Sequence, residues 1–314
     1  MEYLKPKIEF YRQRTFSEKL NVVFEFIREN WKPLLKYSFY LVMPVCLIQT
    51  FFQNSFFGIY MSALTSGRAG SNPFGDSMAG FLTNYGAMLF CIMVGSAIMS
   101  GLIYAMMQTY AVRDNRLREV TLNDFKDLMV KNTWKYVRLF LAILFVFILI
   151  VAVMTSLAVL TSAWSLAVTI PLLFASVLLM IPLMLTVPAY IFEIHITFFE
   201  AIRKAWKLGI ATLGGMLGLM IVLSIISSVI QTVTMLPWYL VMMVGSVFSL
   251  LSESMLTQSV IFKFALYILG LIQTFGMYVA SIIGIIGLAF QYFHAREKVE
   301  GVTIESNISN FGNL

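Results

Sequence analysis

Stretches free of Asp, Glu, Lys and Arg run over residues 37–67, 77–112, 139–192, 208–252 and 264–295. A helix needs about 20 residues to cross a hydrocarbon core. The stretch at 139–192 is too long for one crossing and divides at the small, polar run Thr161-Ser162-Ala163-Trp164-Ser165. The pattern predicts helices near 33–57, 80–112, 137–160, 165–191, 208–233 and 263–293. Residues 234–258, with Pro237-Trp238 and Ser252-Glu253-Ser254, are ambiguous between an external interfacial helix, a re-entrant piece and a seventh span, and the charge count argues against the last because it would put the tail outside. The expected fold class is all-α, a polytopic membrane helix bundle of about six transmembrane helices. Its divisions are a cytoplasmic arm at 1–36, a bundle at 37–295 and a cytoplasmic tail at 296–314.

Composition agrees with a chain dissolved in lipid. It is 59% hydrophobic and 12% charged, against roughly 25% charged in soluble domains. The net charge of +6 does not point to nucleic acid, because the basic residues are confined to a few segments. Lys and Arg next to spans mark the cytoplasmic side. Lys5, Lys7, Arg12, Arg14, Lys19, Arg28, Lys32 and Lys36 precede helix one. Arg113, Arg116, Arg118, Lys126, Lys131, Lys135 and Arg138 lie between helices two and three. Arg203, Lys204 and Lys207 lie between four and five, and Arg296 and Lys298 follow six. Six spans put all of these on one side and leave Arg68 and Lys263 on the other, with both termini in the cytoplasm. Trp31, Trp134 and Trp206 fall at the inner ends of helices, Trp164 and Trp238 at the outer ends, as an interfacial aromatic belt requires. No cleavable signal peptide is expected, since the first thirty residues are charged and amphipathic. Cys46 and Cys91 lie in apolar runs and read as small buried hydrophobes.

The inner segments share a layout. Thr15-Phe16-Ser17-Glu18, Thr121-Leu122-Asn123-Asp124 and Thr197-Phe198-Phe199-Glu200 each have the form of a capping box. Each opens an amphipathic stretch that ends in Trp-Lys, at Trp31, Trp134 and Trp206. Apolar stripes such as Phe16, Leu20, Val23, Phe24, Ile27 and Trp31 recur at helical spacing. These are expected to be cytoplasmic amphipathic helices before helices one, three and five, lying at the interface. Either a threefold duplication or coincidence accounts for the repetition.

This layout resembles a broad group of uncharacterised six-helix bacterial membrane proteins, including the membrane domain fused to some glycerophosphodiester phosphodiesterases. The run from Phe24 to Lys36, with Trp31-Lys32-Pro33, is similar to the opening of membrane proteins common in Bacteroidota, some of which carry a carotene-oxygenase label. The resemblance implies a bacterial inner-membrane location. It carries over no catalytic residue, because the hydrolytic domain of those phosphodiesterases has no counterpart in this sequence.

Candidate chemistry is sparse. A carotene oxygenase needs several histidines on iron, and this chain has His195 and His294. The same shortage argues against zinc or di-iron sites, and no phosphate-binding or nucleophile-elbow motif is present. No cofactor is expected. Glu193 and His195, after Pro188, read as a proton-handling pair at a cavity mouth or, more plainly, as two interfacial polar residues. Pro171, Pro182 and Pro188 break helix four, as in transporters with discontinuous helices, although such prolines are also ordinary in membrane helices. Gly214-Gly215-x-x-Gly218, Ala97-x-x-x-Gly101 and Ala280-x-x-x-Gly284 favour close helix packing. The outer loop at 60–78 reads as a flexible connection and the tail from 301 as loosely held. The expected function is non-enzymatic: a scaffold or accessory component, with membrane lipids and a protein partner at the cytoplasmic face. The alternative is a transporter of a lipid or small solute, with its site near helix four.

Overall fold

A computed structural model describes residues 6–65, 78–161, 170–171, 174, 178–193, 196–250 and 259–303. Among these every regular element is helical. The principal helices are α1 (Phe16–Thr65), α2 (Met78–Val112), α3 (Lys126–Thr161), α4 (Thr186–Phe192), α5 (Phe198–Ala211), α6 (Leu213–Leu250) and α7 (Val260–Glu300). Within the described residues α1, α2, α3, α6 and α7 are long and apolar enough to cross a membrane. Trp164, His195, the break at 162–165, the centre of the outer loop and the tail beyond 303 lie outside the described residues.

α1 joins the first amphipathic stretch to the first long apolar run across a kink. Asn30 has φ −116° and ψ 16°, outside the helical region. Pro33, three residues on, has no amide to give the carbonyl of Glu29, and its ring crowds that turn. The Asn30 side chain donates to the Phe26 carbonyl at 2.9 Å, within the turn before the kink. The expected apolar stripe divides between two surroundings. Of its residues Val23 is buried, Leu20 and Ile27 are half-buried, and Phe16, Phe24 and Trp31 are exposed, while the face that is buried consists of Lys19, Val22, Val23, Phe26 and Asn30. In the second stretch a 3-10 turn at Leu122–Asp124 leads into α3, which passes Trp134 without a break. The third stretch is a separate helix, α5, that ends at Thr212 before α6 begins.

α6 corrects the expected boundary near 233. It runs 38 residues to Leu250 with Pro237 inside it. Residues 234–250 therefore extend helix five rather than form a separate piece. At 1.5 Å per residue it is about 57 Å long, well beyond a hydrocarbon core of about 30 Å. Trp238 departs from the belt pattern. It is buried, its indole N–H donates to Asn54 Oδ1 at 2.9 Å, and Phe57 packs edge-on against it.

Packing divides the chain into two units. One comprises residues 1–31, 100–224 and 283–314, the other 32–99 and 225–282. The first has an aromatic core. The ring of Phe10, in the segment ahead of α1, lies 5.8 Å from Tyr110, 5.6 Å from Phe290 and 5.0 Å from Phe293, centroid to centroid. The same arm is tied down by main-chain bonds. Lys7 Nζ donates to the carbonyls of Ala111 and Arg113, at the end of α2. The amide of Arg14 donates to His294 Nδ1 at 3.0 Å. α2 and α3 approach closely at Gly101, where a Cβ would come within 2.1 Å of Thr133 Oγ1.

The second unit is sewn by uncharged polar groups. Tyr278 donates to Gln49 Oε1 at 2.6 Å, Thr50 and Thr274 hydroxyls lie 3.1 Å apart, and Gln53 Nε2 donates to Gln273 Oε1 at 2.7 Å. Among the described residues its charged side chains are Lys32, Lys36 and Lys263. Cys46 and Cys91 are buried free thiols in this unit.

Candidate functional site

Helix four is interrupted between two prolines. Helical residues 178–183 give way to a turn at Met184 and Leu185, and α4 follows. Pro188 has no amide for the Met184 carbonyl, and its ring displaces the preceding turn. The chain substitutes tighter bonds, Met184 N–H to Ile181 O at 3.1 Å and Leu185 N–H to Pro182 O at 3.4 Å. Pro182 is buried against α5. A Cβ on Gly209 would come within 2.6 Å of the Pro182 Cα, so only glycine permits this approach. Pro171 lies in a helical, exposed position and contributes nothing to the break. Thr186, at the start of α4, is buried, and its hydroxyl has no hydrogen-bond partner among the described residues.

α4 ends at Glu193, whose backbone turns extended at φ −96° and ψ 131°. The carbonyls left over at a helix C-terminus need donors. Gln108 Nε2 supplies one to Ile191 at 3.3 Å and is itself held by Asn132 at 2.9 Å. Lys135 Nζ bonds the Tyr190 carbonyl and lies 4.9 Å from the centre of the Tyr190 ring. The positive charge of Lys135 also complements the negative end of the helix.

The Glu193 carboxylate is the hub of the site. Lys204 Nζ of α5 is 2.6 Å from Oε1, Arg296 Nε of α7 is 3.8 Å away, and the Tyr292 hydroxyl donates to the same oxygen. Glu300 closes the circuit, 3.0 Å from Lys204 and 2.9 Å from Arg296. Partial burial works against ionisation of Glu300, yet Lys204 and Arg296 hold its carboxyl below the ordinary glutamate range. Tyr11 accepts from Arg296 at 3.2 Å, so the N-terminal arm also reaches the network.

Beside this network opens a cleft of about 650 Å³, lined by Phe192, Glu193, Ile196, Glu200, Arg203, Lys204, Lys207 and Arg296. α5 supplies most of its polar wall. The helix starts in a completed capping box, in which the Glu200 carboxylate accepts from the Thr197 N–H at 2.8 Å and hydroxyl at 2.7 Å. The equivalent boxes form at Thr15–Glu18 and Thr121–Asp124. Those two bonds hold the Glu200 carboxyl below its ordinary pKa, with Arg203 adding a smaller effect. Among the described residues no group of three His, Cys, Asp or Glu is placed to hold a metal ion.

The structure thus brings Pro182, Pro188 and Glu193 into one region. It adds Lys135, Lys204, Tyr292, Arg296 and Glu300, which sequence reading did not connect to Glu193. The signal available was weak: Arg296 and Glu300 stand i, i+4 on α7, an ordinary helical ion pair. Trp31, Trp134 and Trp206 are exposed, as a belt residue is expected to be. No protein-family model, curated protein or solved structure matches the chain.

Proposed function

We propose that the chain is a non-enzymatic multi-pass protein of a bacterial inner membrane, with six spans and both termini in the cytoplasm. It serves as a scaffold or accessory component that presents α5 and the amphipathic segments of α1 and α3 to the cytoplasmic leaflet and to a protein partner. The observation that carries this reading is the anchoring of Glu193 Oε1 by three side chains. A carboxylate shared among Lys204, Arg296 and Tyr292 is a clamp on three helices. A joint of this kind suits a structural role, whereas a catalytic acid must pass its proton to a substrate within hydrogen-bond reach.

Two measurements test it. Cysteines introduced at Ser66 and Ser309 in intact cells should label from opposite sides, Ser66 from outside. Labelling of both from outside would mean a seventh crossing. Glu193→Gln should lower the thermal stability of the purified protein, because Lys204 and Arg296 lose one of the two carboxylates that they share. An equally stable variant would return Glu193 to proton handling.

The buried, unpartnered hydroxyl of Thr186 at the proline-broken turn favours a second reading, a carrier of a lipid or small solute. Density for a polar molecule or acyl chain beside Pro182 and Thr186, in a structure solved in lipid, supports it. A dry, closed turn removes it.

A further inference from the structure

At 100° per residue, α5 presents three distinct longitudinal faces. Ala201, Ala205, Leu208 and Gly209 form the buried face. Phe199, Trp206 and Ile210 line another at a spacing of seven and four residues, and they are 76%, 37% and 51% exposed. Arg203 and Lys207, one turn apart, lie immediately beside that apolar line and face the cleft. Lys204 comes next around the helix and is committed to Glu193 and Glu300.

Arg203 and Lys207 are differently placed. Both are exposed, and among the described residues neither forms an ion pair. Glu200 influences Arg203 through space, but its carboxylate is taken by Thr197. Among the described residues the cleft therefore holds two uncommitted cations and an apolar wall of Phe192 and Ile196, and beside it on α5, next to Arg203 around the helix, runs an exposed apolar rim of Phe199, Trp206 and Ile210. A soluble anion needs the cations and has no use for the rim. An apolar ligand needs the rim and has no use for the cations. Both are met by an amphiphile with an anionic phosphate at the junction of its polar and apolar parts.

We propose that this cleft binds the phosphate of an anionic phospholipid headgroup between Arg203 and Lys207, with the acyl chains against Phe199, Trp206 and Ile210. The site rests on the placement of α5 at the cytoplasmic interface. Arg supplies a planar fork for two phosphate oxygens and Lys a point charge. Trp at the rim suits the headgroup level. Basic clusters facing the inner leaflet gain affinity for each Lys or Arg near the surface.

The test uses the full-length protein in nanodiscs, with retained lipid read by native mass spectrometry after gentle release. Phosphatidylglycerol should be retained in preference to phosphatidylcholine. R203Q/K207Q should weaken that retention roughly thirtyfold, and the charge-preserving R203K/K207R should keep most of it. K126Q/K131Q, which removes the same charge from exposed positions on α3, should weaken retention far less. Should the double variant not fold, K207Q alone should weaken retention roughly fivefold. Equal retention of the two lipids, or no effect of the glutamine variants, overturns the proposal. So does an equal loss in K126Q/K131Q, which would make the attraction a general one. Glycerol 3-phosphate competing as well as whole phosphatidylglycerol would assign the cleft to a soluble phosphate instead. Cysteine labelling of K207C from outside alone would overturn the proposed topology while leaving a measured headgroup preference intact.

Discussion

Arg116 donates from its guanidinium to Oε1 of Glu29 at 2.7 Å, joining the segment after α2 to the amphipathic part of α1. The pair is mostly buried, and Tyr110 shares the other carboxylate oxygen. Arg116 also has φ 54°, in the left-handed region. A non-glycine residue there costs about 1–2 kcal/mol. Arg116→Ala should therefore lose about 3 kcal/mol of stability, because it strands a partly buried carboxylate. Arg116→Gly loses the same ion pair but relieves the backbone, so its loss should be about 1 kcal/mol smaller. Thermal unfolding in detergent separates them, and equal losses would mean that no strain resides at 116.

Phe10 should behave as a core residue despite preceding the first helix. Phe10→Ala empties a seat among Tyr110, Phe290 and Phe293. The expected loss is about 3 kcal/mol, at the low end for such truncations because the ring is half-buried. Limited proteolysis should show residues 6–15 cut faster in the variant. An unchanged cleavage rate would show that the arm is held by its other contacts, at Lys7, Ile8, Tyr11 and Arg14.

The capping box of α5 is a pH-dependent element. Glu200 is ionised while it accepts from Thr197, so its folded pKa is depressed below that of the unfolded chain. A depressed carboxylate contributes stability above its unfolded pKa and loses it as pH falls through the folded one. The Thr197 amide resonance should shift with a midpoint below that of an ordinary glutamate, and Glu200→Gln should abolish the titration. A midpoint at or above the ordinary value would contradict the box.

The polar seam of the second unit should contribute little per bond. Gln49→Leu leaves the Tyr278 hydroxyl with the Cys91 carbonyl as its remaining partner at 3.3 Å. Gln53→Leu removes the bond to Gln273. Polar contacts between membrane helices average about 0.6 kcal/mol, with a maximum near 1.7. Each variant should fall in that range by denaturation in mixed micelles. A loss of more than about 3 kcal/mol would exceed what helix glue supplies and would call for another role.

What was legible in the sequence was what is local or strongly apolar. The three capping boxes form as their i, i+3 spacing predicts, and helix four breaks between Pro182 and Pro188, because proline acts on its own turn. Contacts between distant segments were not legible. Nothing in the spacing of Phe10 says that its neighbours are Phe290 and Phe293. Gln49, Gln53 and Thr274 passed unnoticed in a search for charges because they are neutral. The stripe from Phe16 to Trp31 was read as one face, yet Val23 is buried beside Phe26 while Phe24 is exposed. Periodicity marks apolar positions without saying whether protein or lipid covers them.

The seat of Phe10 also orders events in time. The arm is made first, but Tyr110 follows about a hundred residues later, and Phe290, Phe293 and His294 about 280 later. At 5–20 residues per second, translation alone separates the ring from the last wall of its pocket by on the order of half a minute. Until α7 emerges from the ribosome, Phe10 and the Arg14 amide have no home. The first unit therefore closes last, and a nascent chain stalled before residue 290 should leave its arm open to protease.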